Sequence, residues 1–384
     1  MGAVSDHAPA TRYVVGCMTG TSLDGLDAAL VRIDGTGLDM TAAFVGMVSA
    51  PLPEALRGVL LSMANGQAHP PLDYLRAARH LGAVHAEAVA ALLDQHGQGL
   101  DIDFVVAHGQ TIWHAPADRL SWQLFDPWPI VRALRLPVCY DLRQADLVAG
   151  GEGAPVTPIA DWVMYRAHTD AVLNLGGICN ATWLSDRPES VRGQDLLPCN
   201  ILLDGLCQRL FGAAYDRGGG FASKGQRSTA VGGVLAEQIE HAARGARSLG
   251  REHFDAAWLD RLASETKALA GPNEVLRTAV EFVGASIAEF LSVNKIRRAV
   301  LAGGGVKNTV LVDSIQKIAS NREILVSDEM GTPAEAREAT GFAVLGVLSA
   351  DGVSVTLPGV TGADAPGVAG AWAYPQGPPA TPSR

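Results

Sequence analysis

Two stretches of this chain follow one plan, and few folds accommodate both. In the first, Tyr13-Val14-Val15 runs through Gly16-Cys17-Met18-Thr19-Gly20-Thr21-Ser22-Leu23-Asp24-Gly25-Leu26-Asp27 into Ala28-Ala29-Leu30-Val31-Arg32-Ile33. In the second, Ala171-Val172-Leu173-Asn174-Leu175 runs through Gly176-Gly177-Ile178-Cys179-Asn180 into Ala181-Thr182-Trp183-Leu184. Each reads as strand, glycine turn, strand. Further strand and helix patterns follow each copy, so the chain reads as a duplicated lobe. Its 384 residues exceed the size at which one core keeps growing, which also predicts two domains.

The first turn carries the clearest chemistry. Glycines at 16, 20 and 25 are expected to let the backbone approach a bulky anion and adopt positive φ, while Thr21 and Ser22 offer hydroxyl donors. Asp24 and Asp27 would repel a bare phosphate but suit one that carries magnesium, whose ligands are hard oxygens and water. A plain β-turn with solvated aspartates fits this stretch by itself equally well. Two such turns facing each other across a cleft would hold a nucleotide's phosphates from both sides.

Later segments add polar residues at strand ends. The apolar run from Asp103 to His108 predicts a strand ending at Gly109-Gln110-Thr111, which puts His108, Gln110 and Thr111 where α/β sheets bind ligands. The strand Leu136 to Tyr140 leads into Asp141-Leu142-Arg143-Gln144-Ala145-Asp146 and a Gly150 to Pro155 turn. That stretch reads as a ligand loop, or as a connector in which Arg143 pairs with Asp141 or Asp146. The strand Ala299 to Ala302, the turn Gly303-Gly304-Gly305 and a helix over 308–319 offer a third backbone platform. Glu338 falls on a helix predicted over 333–349. His108 and His114 lack the spacing of a zinc-binding helix.

Composition excludes several function classes. A formal charge of −10 argues against nucleic acid or an anionic membrane as partner. No run is long enough to span a bilayer, and the first residues lack the basic and apolar regions of a signal peptide. The five cysteines, Cys17, Cys139, Cys179, Cys199 and Cys207, are odd in number and form no C-x-x-C pair, so reduced thiols and a cytoplasmic location are expected.

Taken together the motifs resemble the anhydro-N-acetylmuramic acid kinase family, a branch of the actin, hexokinase and heat-shock ATPase superfamily. They occur in order: GCMTGTSLDGLD at 16–27, AHGQTIWH at 107–114, YDLRQADLVAGGEGAP at 140–155, NLGGICN at 174–180, GREHF at 250–254, GGGVKN at 303–308, EATGFA at 338–343 and LPGVTGA at 357–363. The resemblance implies an α/β, two-lobed actin-like ATPase (ribonuclease H-like) fold with an interdomain cleft. One lobe would span 11–135 plus about 350–372 and the other 136–349, with 1–10 and 374–384 as disordered tails. It implies ATP and magnesium as cofactors, held by Gly20, Thr21, Ser22, Leu23, Asp24, Gly25 and Asp27, with Asp24 and Asp27 facing the metal directly or through water. Gly176 and Gly177 would close on the phosphates, and Gly303, Gly304, Gly305 and Asn308 would lie by the adenosine. His108, Gln110, Thr111, Arg143 and Glu338 would contact a small-molecule sugar. In this family water opens a 1,6-anhydro bond while ATP phosphorylates O6. By register the catalytic base falls on Asp195, which could otherwise serve only the dipole of the helix expected after it. The family also tends to dimerise.

The chain departs from the family at two places. Where the family has D-T-G-P-G-N, this chain has Asp195-Leu196-Leu197-Pro198-Cys199-Asn200, and Phe125 stands where the family has glycine before Asp126. The resemblance implies phosphorylation of anhydro-N-acetylmuramic acid to N-acetylmuramic acid 6-phosphate; read as a bulkier, more apolar acceptor wall, these changes set beside it another anhydro sugar or hydroxylated metabolite as acceptor, or a homologue that binds sugar and nucleotide without turnover.

Overall fold

The computed structural model describes residues 11–20, 23, 25–244, 249 and 253–376. The chain divides into two compact units. The first comprises the described residues within Met1–Met164, Arg187–Val191 and Ala336–Arg384, and the second Tyr165–Asp186 and Arg192–Glu335.

The first unit opens with strands β1 (Thr11–Thr19), β2 (Gly25–Asp34) and β3 (Thr41–Pro51), followed by helices α1 (Glu54–Ala64) and α2 (Pro71–His96). Then come β4 (Ile102–Ala107), the hairpin β5 (Gln110–Ala115) and β6 (Leu120–Leu124), α3 (Trp128–Leu134), β7 (Val138–Tyr140), α4 (Gln144–Val148) and α5 (Pro158–Tyr165). The second unit carries β8 (Ala171–Leu175), β9 (Ile178–Trp183) and β10 (Arg192–Pro198), then α6 (Asn200–Phe211), α7 (Thr229–Ala243), α8 (Ala256–Lys267) and α9 (Pro272–Val293). It ends with β11 (Arg298–Ala302), α10 (Thr309–Ile318) and β12 (Glu323–Val326), before α11 (Arg337–Ala350), α12 (Pro358–Thr361) and β13 (Ala371–Ala373) return to the first unit.

The duplication read from the sequence is present in the connectivity. In the first unit β1, β2 and β3 form an antiparallel meander, β4 and β7 add parallel to β1, and β13 closes that edge. In the second, β8, β9 and β10 form the meander, and β11 and β12 add parallel to β8. This is an α/β, ribonuclease H-like strand order, once per unit. Each unit has its own apolar core. Val15, Leu30 and Val105 pack on Leu81, Val89 and Leu92 of α2 in the first, and Leu173 and Leu301 pack on Val280, Val283 and Ile287 of α9 in the second. Both long helices are amphipathic with buried positions at threes and fours, and both start at a proline, which lacks the N–H that a first turn leaves unpaired.

Several expectations shift. The first turn is shorter than the glycine pattern suggests, because β1 runs to Thr19 and β2 starts at Gly25. Gly16 and Gly25 lie inside strands, without positive φ, and need to be glycine for packing. A Cβ on Gly16 would stand 1.9 Å from the Ala339 carbonyl oxygen of α11, and one on Gly25 would stand 2.8 Å from that of Ala50. The segment from Asp195 to Pro198 forms the end of the outer strand of the second sheet. The helix bearing Glu338 starts at Arg337 rather than 333.

Candidate active site

In the first unit, a polar cluster forms where β1 and β4 end side by side. Being parallel neighbours, these strands bring Thr19 and His108 together: Thr19 Oγ1 donates to the Gly109 carbonyl at 2.7 Å, and the His108 N–H donates to the Cys17 carbonyl at 3.1 Å. Gly109 turns the chain with φ of 74°, and a Cβ there would meet Phe125 Cβ at 2.9 Å. His108 is buried and its tautomer is fixed by its partners. Arg143 offers only donors, so Nε2 accepts from its Nη2 at 2.9 Å and Nε at 3.2 Å, and Nδ1–H donates to the Gly109 carbonyl at 2.8 Å. Burial first, and then the Arg143 charge, pull the imidazole down to about 3, so it is neutral at physiological pH.

Arg143 is the hub of this cluster. Its Nη1 donates to the Gly153 carbonyl at 2.9 Å, and Asp146 instead takes the Gly153 N–H at 2.7 Å and the Thr361 hydroxyl at 2.6 Å. The ion pair with Asp141 or Asp146 that the sequence allowed is therefore not formed. Burial draws the guanidinium down to about 10, against the opposing charge of Glu338, and it remains a cation at neutral pH. Glu338, half-buried in the first turn of α11, has its carboxyl pushed up by burial, with Asp161 and Asp27 adding to the rise and Arg337 and Arg143 opposing it. Behind it lies an almost fully buried ion pair between Arg337 and Asp161, which no sequence motif marked. Sequence reasoning gave no pKa shifts because these five charges come from four separate segments.

The first turn is described only in part: Thr21, Ser22 and Asp24 lie outside the described residues. Leu23 adopts positive φ, 58°, with its N–H donating to the Gly20 carbonyl at 3.2 Å. Its side chain is buried in the core and its carbonyl accepts from Arg57 Nε at 3.1 Å, so only its backbone bears on the turn. Asp27 accepts from Ser49 Oγ at 2.5 Å. Among the described residues, no group of three or more His, Cys, Asp or Glu is placed to hold a metal ion. An ion brought in on a triphosphate asks less of the protein, and Asp27 beside the turn is a hard oxygen donor of the right kind.

In the second unit the turn is Gly176-Gly177 alone. Its carbonyls accept from the N–H groups of Asn200, Cys199 and Ile201 at 3.0, 2.9 and 3.2 Å, which ties the turn to the start of α6. Gly303, with φ of 84°, and Gly305 lie against β8, where a Cβ would meet Asn174 Oδ1 at 2.3 Å and Leu175 Cβ at 2.7 Å. Those two glycines are thus required by packing, whereas a Cβ on Gly304 would meet only Asn200 Nδ2, at 3.8 Å. Asn308 caps α10, its Oδ1 accepting the Leu311 N–H at 3.2 Å. Asp195, paired with Asn180 in the β10–β9 ladder, is half-buried, and its Oδ2 accepts the Leu249 N–H at 2.9 Å.

The departures from the family pattern are taken up largely by packing. Leu197 is buried in the core of the second unit and Leu196 packs partly buried against it. Cys199 is also buried, and burial pushes its thiol up to about 12. Phe125 sets its ring edge-on to His85 at 4.9 Å, against the core of the first unit. Leu197 and Cys199 are thus withdrawn from solvent, whereas Leu196 and Phe125 are only partly buried.

A family model, anhydro-N-acetylmuramic acid kinase, matches residues 12–375. The chain belongs to that family. Named relatives include the anhydro-N-acetylmuramic acid kinases of Salinibacter ruber, 35% identical over 94% of this chain and 95% of its own, and of Bordetella petrii, 37% identical over 94% and 96%. Membership makes the chain an enzyme of the kinase class. Among solved structures it is similar to (R)-2-hydroxyglutaryl-CoA dehydratase component A of Acidaminococcus fermentans, at TM-score 0.47 and 10% identity over 87% of this chain and 96% of that one. It is also similar to a ROK family glucokinase of Streptomyces griseus, at TM-score 0.38 and 14% identity over 87% and 98%. No helix among the described residues is long and apolar enough to cross a membrane.

Proposed function

We propose that this kinase uses ATP to phosphorylate a 1,6-anhydro sugar, with anhydro-N-acetylmuramic acid as acceptor and N-acetylmuramic acid 6-phosphate as product. The observation that carries this reading is the cluster of neutral His108, cationic Arg143 and Glu338 at the ends of β1, β4 and α11, in a chain whose relatives are named for that acceptor. With both ring nitrogens of neutral His108 engaged, the imidazole bears on an acceptor by holding Arg143 in place, and the N–H groups left on the fixed guanidinium suit contacts to sugar hydroxyls and ether oxygens better than proton transfer. His108, Gln110, Thr111, Arg143 and Glu338 are accordingly assigned to the sugar.

In this reading Gly20, Thr21, Ser22, Leu23 and Gly25 hold the ATP phosphates through backbone and hydroxyl donors, and Asp24 and Asp27 face the magnesium ion. Gly176 and Gly177 also serve the phosphates, and Gly303 to Gly305 with Asn308 lie by the adenosine. Bound magnesium would neutralise charge on the transferring phosphoryl group. Asp195 takes a proton from water as the water oxygen bonds to C1. The C1–O6 bond breaks, O6 attacks the γ-phosphorus, and the bond to the ADP oxygen breaks. Burial of Leu197 and Cys199 in the core of the second unit keeps these two departures out of any acceptor wall, which favours the family's own acceptor over a different one. The buried free thiols fit a reducing cytoplasm.

The test is Asp195→Asn. We expect turnover of anhydro-N-acetylmuramic acid, read as ADP release and product mass, to fall about 10²- to 10⁴-fold while ATP affinity by calorimetry stays within twofold. A variant with undiminished turnover would remove Asp195 from the chemistry.

A further inference from the structure

One face of the β5–β6 hairpin carries a row of polar side chains in which the assignments above give a task to Thr111 alone. Cross-strand pairing sets Thr111 opposite Gln123 and His114 opposite Ser121, so these four share a face, whereas Trp113 and Trp122 pair on the other. Gln123 Nε2 donates to Ser121 Oγ at 2.7 Å and to Thr111 Oγ1 at 3.3 Å, and Ser121 Oγ lies 3.0 Å from His114 Nδ1. The row stands beside the polar cluster: Gln144, next to Arg143, donates to the Ser121 carbonyl at 2.5 Å, and a Cβ on Gly109 would lie 3.6 Å from Gln123 Cβ. His114 has its pKa lowered by burial and by the Arg143 charge, so it adds no cation to the face at neutral pH.

One atom of this row is unmatched. Gln123 Oε1 is buried and has no hydrogen-bond partner among the described residues. Turning the amide over would let its oxygen accept from the two hydroxyls, but would then strand the amide nitrogen, so either orientation leaves one polar atom unpaired. Leaving a buried acceptor unpaired is costly, and a protein recovers that cost when a ligand supplies the donor.

We infer that Gln123 is a specificity-determining residue, its Oε1 accepting a hydrogen bond from a hydroxyl or amide N–H of the acceptor sugar. The inference rests on the sugar-kinase reading and adds to it the group that reads a donor on the substrate. Sites built to hydrogen-bond a donor reject analogues that lack it, because the protein's own group is then left stranded.

The experiment compares wild type with Gln123→Leu and Gln123→Glu, using anhydro-N-acetylmuramic acid and its analogue without the acetamido group. Leucine keeps the bulk and loses the acceptor. Glutamate keeps an acceptor, and the Ser121 and Thr111 hydroxyls can rotate to donate to it. We expect Gln123→Leu to lower kcat/KM for the sugar tenfold to a hundredfold with KM for ATP unchanged, and Gln123→Glu to stay within about fivefold of wild type. A leucine penalty that vanishes on the analogue assigns the donor to the acetamido N–H, and one that persists assigns it to a hydroxyl. Wild-type turnover with Gln123→Leu equally active, or with both variants equally impaired, overturns the inference alone. Absence of wild-type turnover on both sugars overturns the functional reading and this inference with it.

Discussion

At the scale of single residues, the first unit holds two histidines neutral at acidic pH, where water would protonate them. His85, fully buried in α2, donates from Nδ1 to the Leu81 carbonyl at 2.8 Å, and its Nε2 has no partner among the described residues. Burial draws it down to about 4 against that hydrogen bond, and draws His108 to about 3. A depressed histidine costs stability in acid, because below about 6.5 the unfolded chain binds protons that the folded one refuses. Unfolding midpoints in denaturant should therefore be flat above pH 6.5 and fall as pH drops towards 4. In His85→Phe, which has no proton to bind, that slope should be shallower, and an unchanged slope would show that His85 is not buried as a neutral group. His108 was legible from the sequence as a residue at a strand end. Its protonation state was not, since burial and Arg143 produce it.

At the scale of elements, α11 is the piece on which the first sheet is built. It lies so close to β1 that Gly16 faces the Ala339 carbonyl, and so close to β4 that a Cβ on Gly346 would reach Val106 Cγ2 at 2.2 Å. Such an approach lets the first turn of the helix deliver Glu338 beside Arg143 and Asp27. Gly16→Ala must push two backbones apart, so we expect a loss of about 3 kcal/mol or more in unfolding free energy, measured in urea. The same change on the model of a ligand-contacting glycine would leave stability nearly unaltered and weaken nucleotide binding instead. The β5–β6 hairpin is one element that sequence reading missed. Its strands are short and interrupted by a bulge near Ile112, so the alternation that marks a half-buried strand is broken. Strand β10 escaped for a related reason, since a bulge between Asp195 and Leu197 breaks its pattern as well.

At the scale of the whole molecule, the chain is two copies of one topology, each with its own core, carrying the residues of one kinase family. If it binds magnesium ATP, ligand linkage should stabilise it by about 2.7 kcal/mol at one hundred times the dissociation constant. Thermal unfolding with ATP should thus shift upward with magnesium and lose most of that shift on adding a chelator. No shift at millimolar ATP with magnesium would count against the nucleotide assignments. The sequence by itself determined the duplication, the α/β class and the family, because those rest on local signals: apolar runs, glycine turns and motif order along the chain. Only the tertiary structure decided why Gly16, Gly303 and Gly305 must be glycine, that Leu197 is a core residue, and which partners Arg143 takes. Each of these depends on what a distant segment brings alongside, and neither composition nor spacing in one segment carries that information.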